Sequence, residues 1–124
     1  RRFVISEHPR FAAICEAKGS VRFASSSPLP DPYDGLVADH PGDLPIHACM
    51  GLPLYFAERL IGILTFDSLK PNAFDDLGQD KLDALAAIAA ATVKIALTLD
   101  ELEQRIRAKA KLLDQKNKID IKEV

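Results

Sequence analysis

A thiol, an imidazole and a carboxylate stand where two strand-like runs can bring them together. From Leu44 to Leu69 the chain reads LPIHACMGLPLYFAERLIGILTFDSL. Read with a period of two, Ala48, Met50, Leu52, Leu54 and Phe56 share one face. His47, Cys49, Gly51, Pro53 and Tyr55 share the other. The second run sets Leu60, Gly62, Leu64 and Phe66 against Ile61, Ile63, Thr65 and Asp67. Such runs, joined by Ala57-Glu58-Arg59, predict a β-hairpin. A three-residue loop would pair Phe56 with Leu60 and, along the same ladder, Cys49 with Asp67. It also keeps Met50, Leu52, Leu54, Phe56, Leu60, Leu64 and Phe66 on one continuous apolar face, as a buried sheet face requires. Changing the loop by one residue would put Asp67 among them. Opposed Cβ atoms lie about 5 Å apart, close enough for Cys49 and Asp67, with His47, to share an ion.

Thiolate, imidazole and carboxylate are ligands for zinc, iron or copper, and a mixed N/O/S set suits a redox-active or gas-binding iron. The same residues also admit a plainer reading: Cys49 as a small buried hydrophobe, His47 at the start of a strand, Asp67 capping the hairpin. Catalytic patterns are absent. There is no Gly-x-Ser-x-Gly, no glycine-rich phosphate loop and no His-Glu-x-x-His. Cys49 and His47 point the same way from one strand and make a poor nucleophile pair. No catalytic residue is assigned and the chain reads as a non-enzyme.

The elements that must position these groups follow from the rest of the chain. Its 124 residues are 48% hydrophobic and 27% charged, with a net charge of -2, which suits one globular domain. No basic run suggests a nucleic-acid surface. No stretch is expected to be long and uncharged enough to cross a bilayer, so no membrane partner is assigned and the expected location is cytoplasmic. Cys15 and Cys49 lack CxxC spacing and read as free thiols in a reducing compartment. The opening Arg1-Arg2-Phe3-Val4-Ile5 looks like the middle of a longer chain.

Ser6-Glu7-His8-Pro9 predicts a helix start, with Phe11, Ile14, Cys15 and Lys18 at helical spacing and Gly19 as a left-handed cap. Arg10, in its first turn, reads as a solvated arginine and Cys15 as a core residue. Val21–Ala24 reads as a short extended segment. Ser25 to Pro45 is rich in proline and aspartate, and so long a loop in a small domain is expected to be either functional or mobile. Turn chemistry accounts for Asp31 and Asp34 there, the alternative being that Asp34 is carried over the hairpin as a further ligand. A helix is expected from a cap at Asp75 or Asp76, with an apolar stripe of Leu77, Leu82, Leu85, Ala89, Val93 and Ala96. A second seam, Ile88, Thr92, Ile95, Leu99, Leu102, Ile106 and later Leu113, alternates steps of four and three and most simply meets another helix, from a segment preceding Arg1 or from a second subunit. From Asp100 the chain reads as a charged helical rod.

Gly51-Leu52-Pro53-Leu54, Leu60 to Asp67, Phe74 and the alanine-rich Leu85–Leu97 segment together resemble the GAF family of small-molecule sensor domains. His8-Pro9-Arg10, Leu29-Pro30-Asp31-Pro32-Tyr33-Asp34-Gly35-Leu36 and His47-Ala48-Cys49 are similar to the GAF domains of the NorR family of nitric-oxide-responsive transcription regulators. That resemblance implies an α+β fold: an antiparallel GAF-like sheet flanked by helices, incomplete for want of its leading elements, with a long C-terminal connector helix. Residues 1–99 would be a partial GAF sensor domain, and 100–124 a helical linker towards an AAA+ ATPase domain. It implies non-haem Fe(II) held by Asp34, His47, Cys49 and Asp67, with Arg10 among the matched positions. A guanidinium has no free lone pair, so Arg10 is better placed as a hydrogen-bond donor beside the iron. Asp31 could replace Asp34. A chain missing sheet strands need not retain the iron, since the site would be looser. The implied partners are nitric oxide, the AAA+ domain of the same chain, further copies in a homo-oligomer, and DNA only through a separate domain. Glu16 stands where the family carries another arginine. A metal-free GAF module that binds a small organic ligand, or serves only in dimerisation, is the alternative.

Overall fold

The computed structural model describes residues 4–46 and 48–122, and it divides into two compact units, Arg1–Ala91 and Thr92–Val124. In the first unit a turn of 3₁₀ helix, Ile5–Glu7, leads into α1, Pro9–Glu16. Strands β1 (Val21–Ala24), β2 (Ala48–Phe56) and β3 (Arg59–Ser68) follow, and α2 runs from Gln79 to Lys122 across the division. The sheet is antiparallel with order β1-β2-β3. This is the α+β architecture expected, with Val21–Ala24 as a true third strand rather than an isolated extended segment.

The centre of the sheet is β2, buried on both faces from Ala48 to Leu54. Its odd-numbered side packs under α1, where Cys49 joins Phe11, Ile14 and Phe23. Its even-numbered side carries Met50 and Leu52 against Leu82 of α2, with Phe66, Phe74 and Ala86 around them. One apolar face was expected. The cover of two helices makes both faces apolar. Gly51 shows how close α1 comes: a Cβ there would overlap the side chain of Ile14, which is fully buried.

The hairpin reaches the expected register by a different route. Phe56 pairs with Arg59, not Leu60, across a two-residue turn. Ala57 and Glu58 both take left-handed conformations, φ 49° and 63°, as a type I′ turn demands. One extra residue in β3, a bulge facing Leu54/Tyr55, then restores the parity, so that Cys49 does pair with Asp67. Short of the bulge the faces are exchanged. Leu60 lies opposite Tyr55 instead of joining Leu52 and Leu54, and Phe56 is exposed.

Helix boundaries also depart from expectation. His8, not Ser6, is the N-cap of α1, with Pro9 at its first position. The helix ends at Ala17 in extended conformation (φ -74°, ψ 146°), and Gly19 has no left-handed backbone. Asp75 and Asp76 lie in turns closed by Asp75 N–H to Asn72 O (3.2 Å) and Leu77 N–H to Phe74 O (3.3 Å). Arg22 grips this segment, donating to Phe74 O and to Leu77 O (2.9 Å). The first α2 turn therefore begins at Gln79, with Leu82 and Ala86 turned to the sheet and Leu77 and Leu85 left exposed.

By length and composition alone α2 is long and apolar enough to cross a membrane, a test that core helices also pass. That corrects the expectation of none. Alanine is the reason: it raises hydropathy without supplying the bulky apolar side chains by which a span is usually noticed.

Candidate metal centre

Register builds the site. Phe23, Cys49 and Asp67 form one cross-strand row, because Phe23 pairs with Cys49 and Cys49 with Asp67. The loop after β1 then carries Asp31 over this row. Ligand atoms of Asp31, Cys49 and Asp67 all lie within 4.8 Å of one another. Cys49 is buried, Asp31 half-buried and Asp67 exposed, so the group opens to solvent on its Asp67 side.

Arg10 supplies the positive charge. Its Nη1 donates to Asp31 Oδ2 at 3.1 Å and its Nε to Leu29 O at 2.9 Å. Its guanidinium carbon sits 5.3 Å from the centroid of the Phe23 ring, a cation–π contact. Arg10 is buried, not the solvated helix arginine that its position suggested. Asp31 is fixed from the other side as well, its Oδ1 accepting the Tyr33 backbone N–H at 2.8 Å. The Tyr33 hydroxyl hydrogen-bonds Thr65 Oγ1 at 3.3 Å, and its ring meets Phe11 edge-on at 6.0 Å. Tyr33 thus clamps the loop to both α1 and β3.

Burial dominates the electrostatics. It pushes the Cys49 thiol up to about 12, and the thiol's hydrogen bond to Asp67 and the Asp67 charge add to this, against Arg10. Burial also raises Asp31, with the Asp67 and Asp34 charges adding, while the Tyr33 N–H and Arg10 oppose. Without a cation the cluster therefore favours the protonated thiol. A divalent ion would reverse that by displacing the proton. One sulfur and two carboxylates, their ligand atoms within 4.8 Å of one another, form a donor set that fits a transition metal.

The structure describes all but one of the expected residues. Cys49, Asp67 and Asp31 converge, and Arg10 bonds Asp31 as a donor. Asp34 does not join them in the cluster: its Oδ1 accepts the Leu44 N–H at 2.8 Å, and its own N–H bonds Asp31 O at 3.2 Å. His47 lies outside the described residues. Sequence reasoning missed Phe23 and Tyr33. Alternation with Arg22 on a strand was the available signal for Phe23; Tyr33 gave none, because its part depends on where the loop lands.

A GAF domain family model matches residues 1–93. The chain is 59% identical over 117 residues to the regulatory protein LuxO of Vibrio cholerae, covering 94% of this chain and 22% of that protein. It is 50% identical over 103 residues to the anaerobic nitric oxide reductase transcription regulator NorR of Vibrio vulnificus, covering 83% and 20%. With the protein of that name in Aliivibrio fischeri it shares 48% identity over 105 residues, covering 85% and 20%. It spans roughly a fifth of the length of these relatives. Sheet, flanking helices and sequence agree: this chain belongs to the GAF domain family, in a form similar to a segment of bacterial transcription regulators.

Proposed function

We propose that this chain is the sensor of a nitric-oxide-responsive, enhancer-binding transcription activator. In this reading it holds a mononuclear non-haem ferrous ion and controls a neighbouring AAA+ ATPase domain in the cytoplasm. The activator works as a homo-oligomer, meets DNA through a separate domain, and the sensor itself catalyses nothing. The observation that carries the reading is the convergence of Asp31, Cys49 and Asp67 in a chain about half identical to proteins named as nitric oxide reductase regulators. Those three would hold the ion, with His47, which precedes Ala48 in the sequence, as a further donor, while Asp34 ties the loop to Leu44. Arg10 keeps Asp31 in place and offsets the negative charge of the cluster. The ion, when bound, would supply the position at which nitric oxide is captured.

The sheet offers a route for the signal. Successive residues of a strand point to opposite faces. Next to the row Phe23-Cys49-Asp67 lies the row Arg22-Met50-Phe66, also in register across the three strands. Arg22 holds the carbonyls of Phe74 and Leu77, Met50 packs with Leu82, and the Phe66 ring lies 6.3 Å from that of Phe74. A shift of Cys49 or Asp67 on one face thus moves, through one peptide unit, the residues that seat the start of α2 on the other. A ligand can bias that equilibrium only through such a difference in contacts.

Anaerobic loading tests the assignment. Protein prepared with ferrous salt should retain one iron per chain, and nitric oxide should then produce a paramagnetic signal by EPR. Loss of both in Cys49→Ala with Asp67→Ala is expected; a signal that survives the double change would refute the site. The second reading rests on a cavity of about 450 Å³ lined by Ile5, Phe11, Tyr33, Ile61, Ile63 and Thr65, large enough for a small organic molecule. Anaerobic protein that binds no iron yet is stabilised by such a compound would favour it.

A further inference from the structure

The junction between β3 and α2 carries two helix starts, and the structure uses the one that local chemistry favours less. In Asp75-Asp76-Leu77-Gly78-Gln79, Asp76 with Gln79 three residues on has the spacing of a capping box. The helix nevertheless starts two residues later. Its first backbone bonds run from Lys81 N–H and Leu82 N–H to Gly78 O, at 3.1 and 3.2 Å, which makes Gly78 the N-cap. Glycine brings no side-chain acceptor for the first amides of a helix, whereas aspartate does. Asp75 and Asp76 are left exposed. What holds the observed start is tertiary. Arg22 of β1 donates through Nε to Phe74 O at 3.3 Å and through Nη2 to Leu77 O at 2.9 Å, and Ser20 Oγ bonds Gln79 Oε1 at 3.2 Å.

We infer that Arg22 is the catch of a two-state helix start, and that its release lets α2 lengthen by two residues to a cap at Asp76. The two states compete for one acceptor. In a helix capped at Asp76, Lys81 N–H would bond Leu77 O, the oxygen that Arg22 now holds, and Asp80 N–H would bond Asp76 O. The Asp76 carboxylate would take the amide of Gly78 or Gln79. A guanidinium beside a helix N-terminus also opposes the macrodipole, while an aspartate there complements it. One local feature resists the longer helix: Gly78 would lie inside it, where glycine is disfavoured. Space does not require that glycine, since a Cβ at Gly78 meets nothing within 4 Å and its backbone is not left-handed. Arginine and glycine together thus hold the shorter helix against the aspartate. Arg22 is well placed to shift the balance, because the row Arg22-Met50-Phe66 lies beside the row Phe23-Cys49-Asp67. The inference rests on hydrogen bonds of the first unit and stands independently of the metal reading.

Nuclear magnetic resonance of the 124-residue chain tests it. Arg22→Gln should move the Cα shifts of Leu77 and Gly78 to helical values and slow amide exchange at Asp80 by about tenfold or more, while Met50 and Leu52 keep their protection. Gly78→Ala, which leaves the catch intact, should shift the balance the same way by about fivefold. Adding Asp76→Ala to Arg22→Gln should cancel the change. Leu77 shifts that stay non-helical in both single variants, with the sheet amides still protected, would overturn the inference. So would a longer helix that survives Asp76→Ala. If Arg22→Gln loses the sheet, Gly78→Ala decides alone.

Discussion

Asp31 and Asp34 are neighbours in a turn, yet their surroundings divide them. Asp31 meets Arg10, the Tyr33 N–H and the cluster, whereas Asp34 ties the loop to Leu44. Asp31→Ala should therefore weaken binding of a divalent reporter such as Co(II) by tenfold or more. Asp34→Ala should cost less in affinity and raise amide exchange around Leu44. Isothermal titration on the two variants, alongside exchange measurements, checks the order; equal losses would make both carboxylates ligands. Cys49 yields a prediction with a defined sign. Its folded-state value of about 12 lies above the ordinary 9.0, so the folded metal-free chain binds the thiol proton more tightly than the unfolded chain does. That stabilising contribution is complete below pH 9 and is lost as the pH climbs towards 12. The urea midpoint of wild type should fall over that interval by more than that of Cys49→Ala. Because the ion must displace the same proton, Co(II) affinity should rise with pH below 9, by up to about tenfold per pH unit.

At the scale of elements, the structure explains why some features were legible in the sequence and others were not. Alternation along β2 and β3 exposed the hairpin, and the need to keep Asp67 off the apolar face gave the parity that pairs it with Cys49. The turn itself was unreadable. Type I′ geometry is signalled by Asn-Gly or Asp-Gly, and Ala57-Glu58 is neither. The expected three-residue loop was the simplest way to obtain the right parity, and a turn plus a bulge is the other. Replacing Ala57-Glu58 by Asn-Gly should relieve two left-handed residues and raise stability by about 1 kcal/mol or more by urea denaturation. Asp75 and Asp76 looked like caps because aspartate serves caps and turns alike, and Arg22, a residue far off in sequence, decided between them. The loop carboxylate was legible only as a choice between two, because a segment without periodicity carries no information about where it lands. Gly51 tests the α1–β2 contact. Gly51→Ala should destabilise the first unit by about 1–3 kcal/mol, as overpacking against Ile14 forces the helix or the side chain to move. An unchanged midpoint would mean that α1 is far less tightly seated than these contacts require.

At the scale of the whole chain, the two units differ in how much of themselves they bury. The first has a sheet covered on two sides, and among the described residues no buried side-chain nitrogen or oxygen lacks a partner. The second is a helix whose residues from Lys94 to Ile121 are all exposed. Isolated helices depend on packing far more than on propensity, and surface ion pairs at i,i+4 contribute only about 0.3–0.5 kcal/mol each. Its helicity should therefore follow concentration. Diluting the chain should lower the ellipticity at 222 nm while near-ultraviolet signals from the tyrosines and phenylalanines of the first unit stay constant. Hydrogen exchange gives the same test residue by residue. Amides from Leu99 to Leu113 should lose protection in Leu102→Lys with Ile106→Lys, whereas those of Met50, Leu52 and Leu54 should keep it. If the rod stays protected when monomeric, its order comes from within the single chain, and a sensor shift at Cys49 and Asp67 would pass along a rigid helix. If protection appears only with association, the same shift can act by favouring or opposing assembly, which makes that assembly equilibrium itself the output of the sensor.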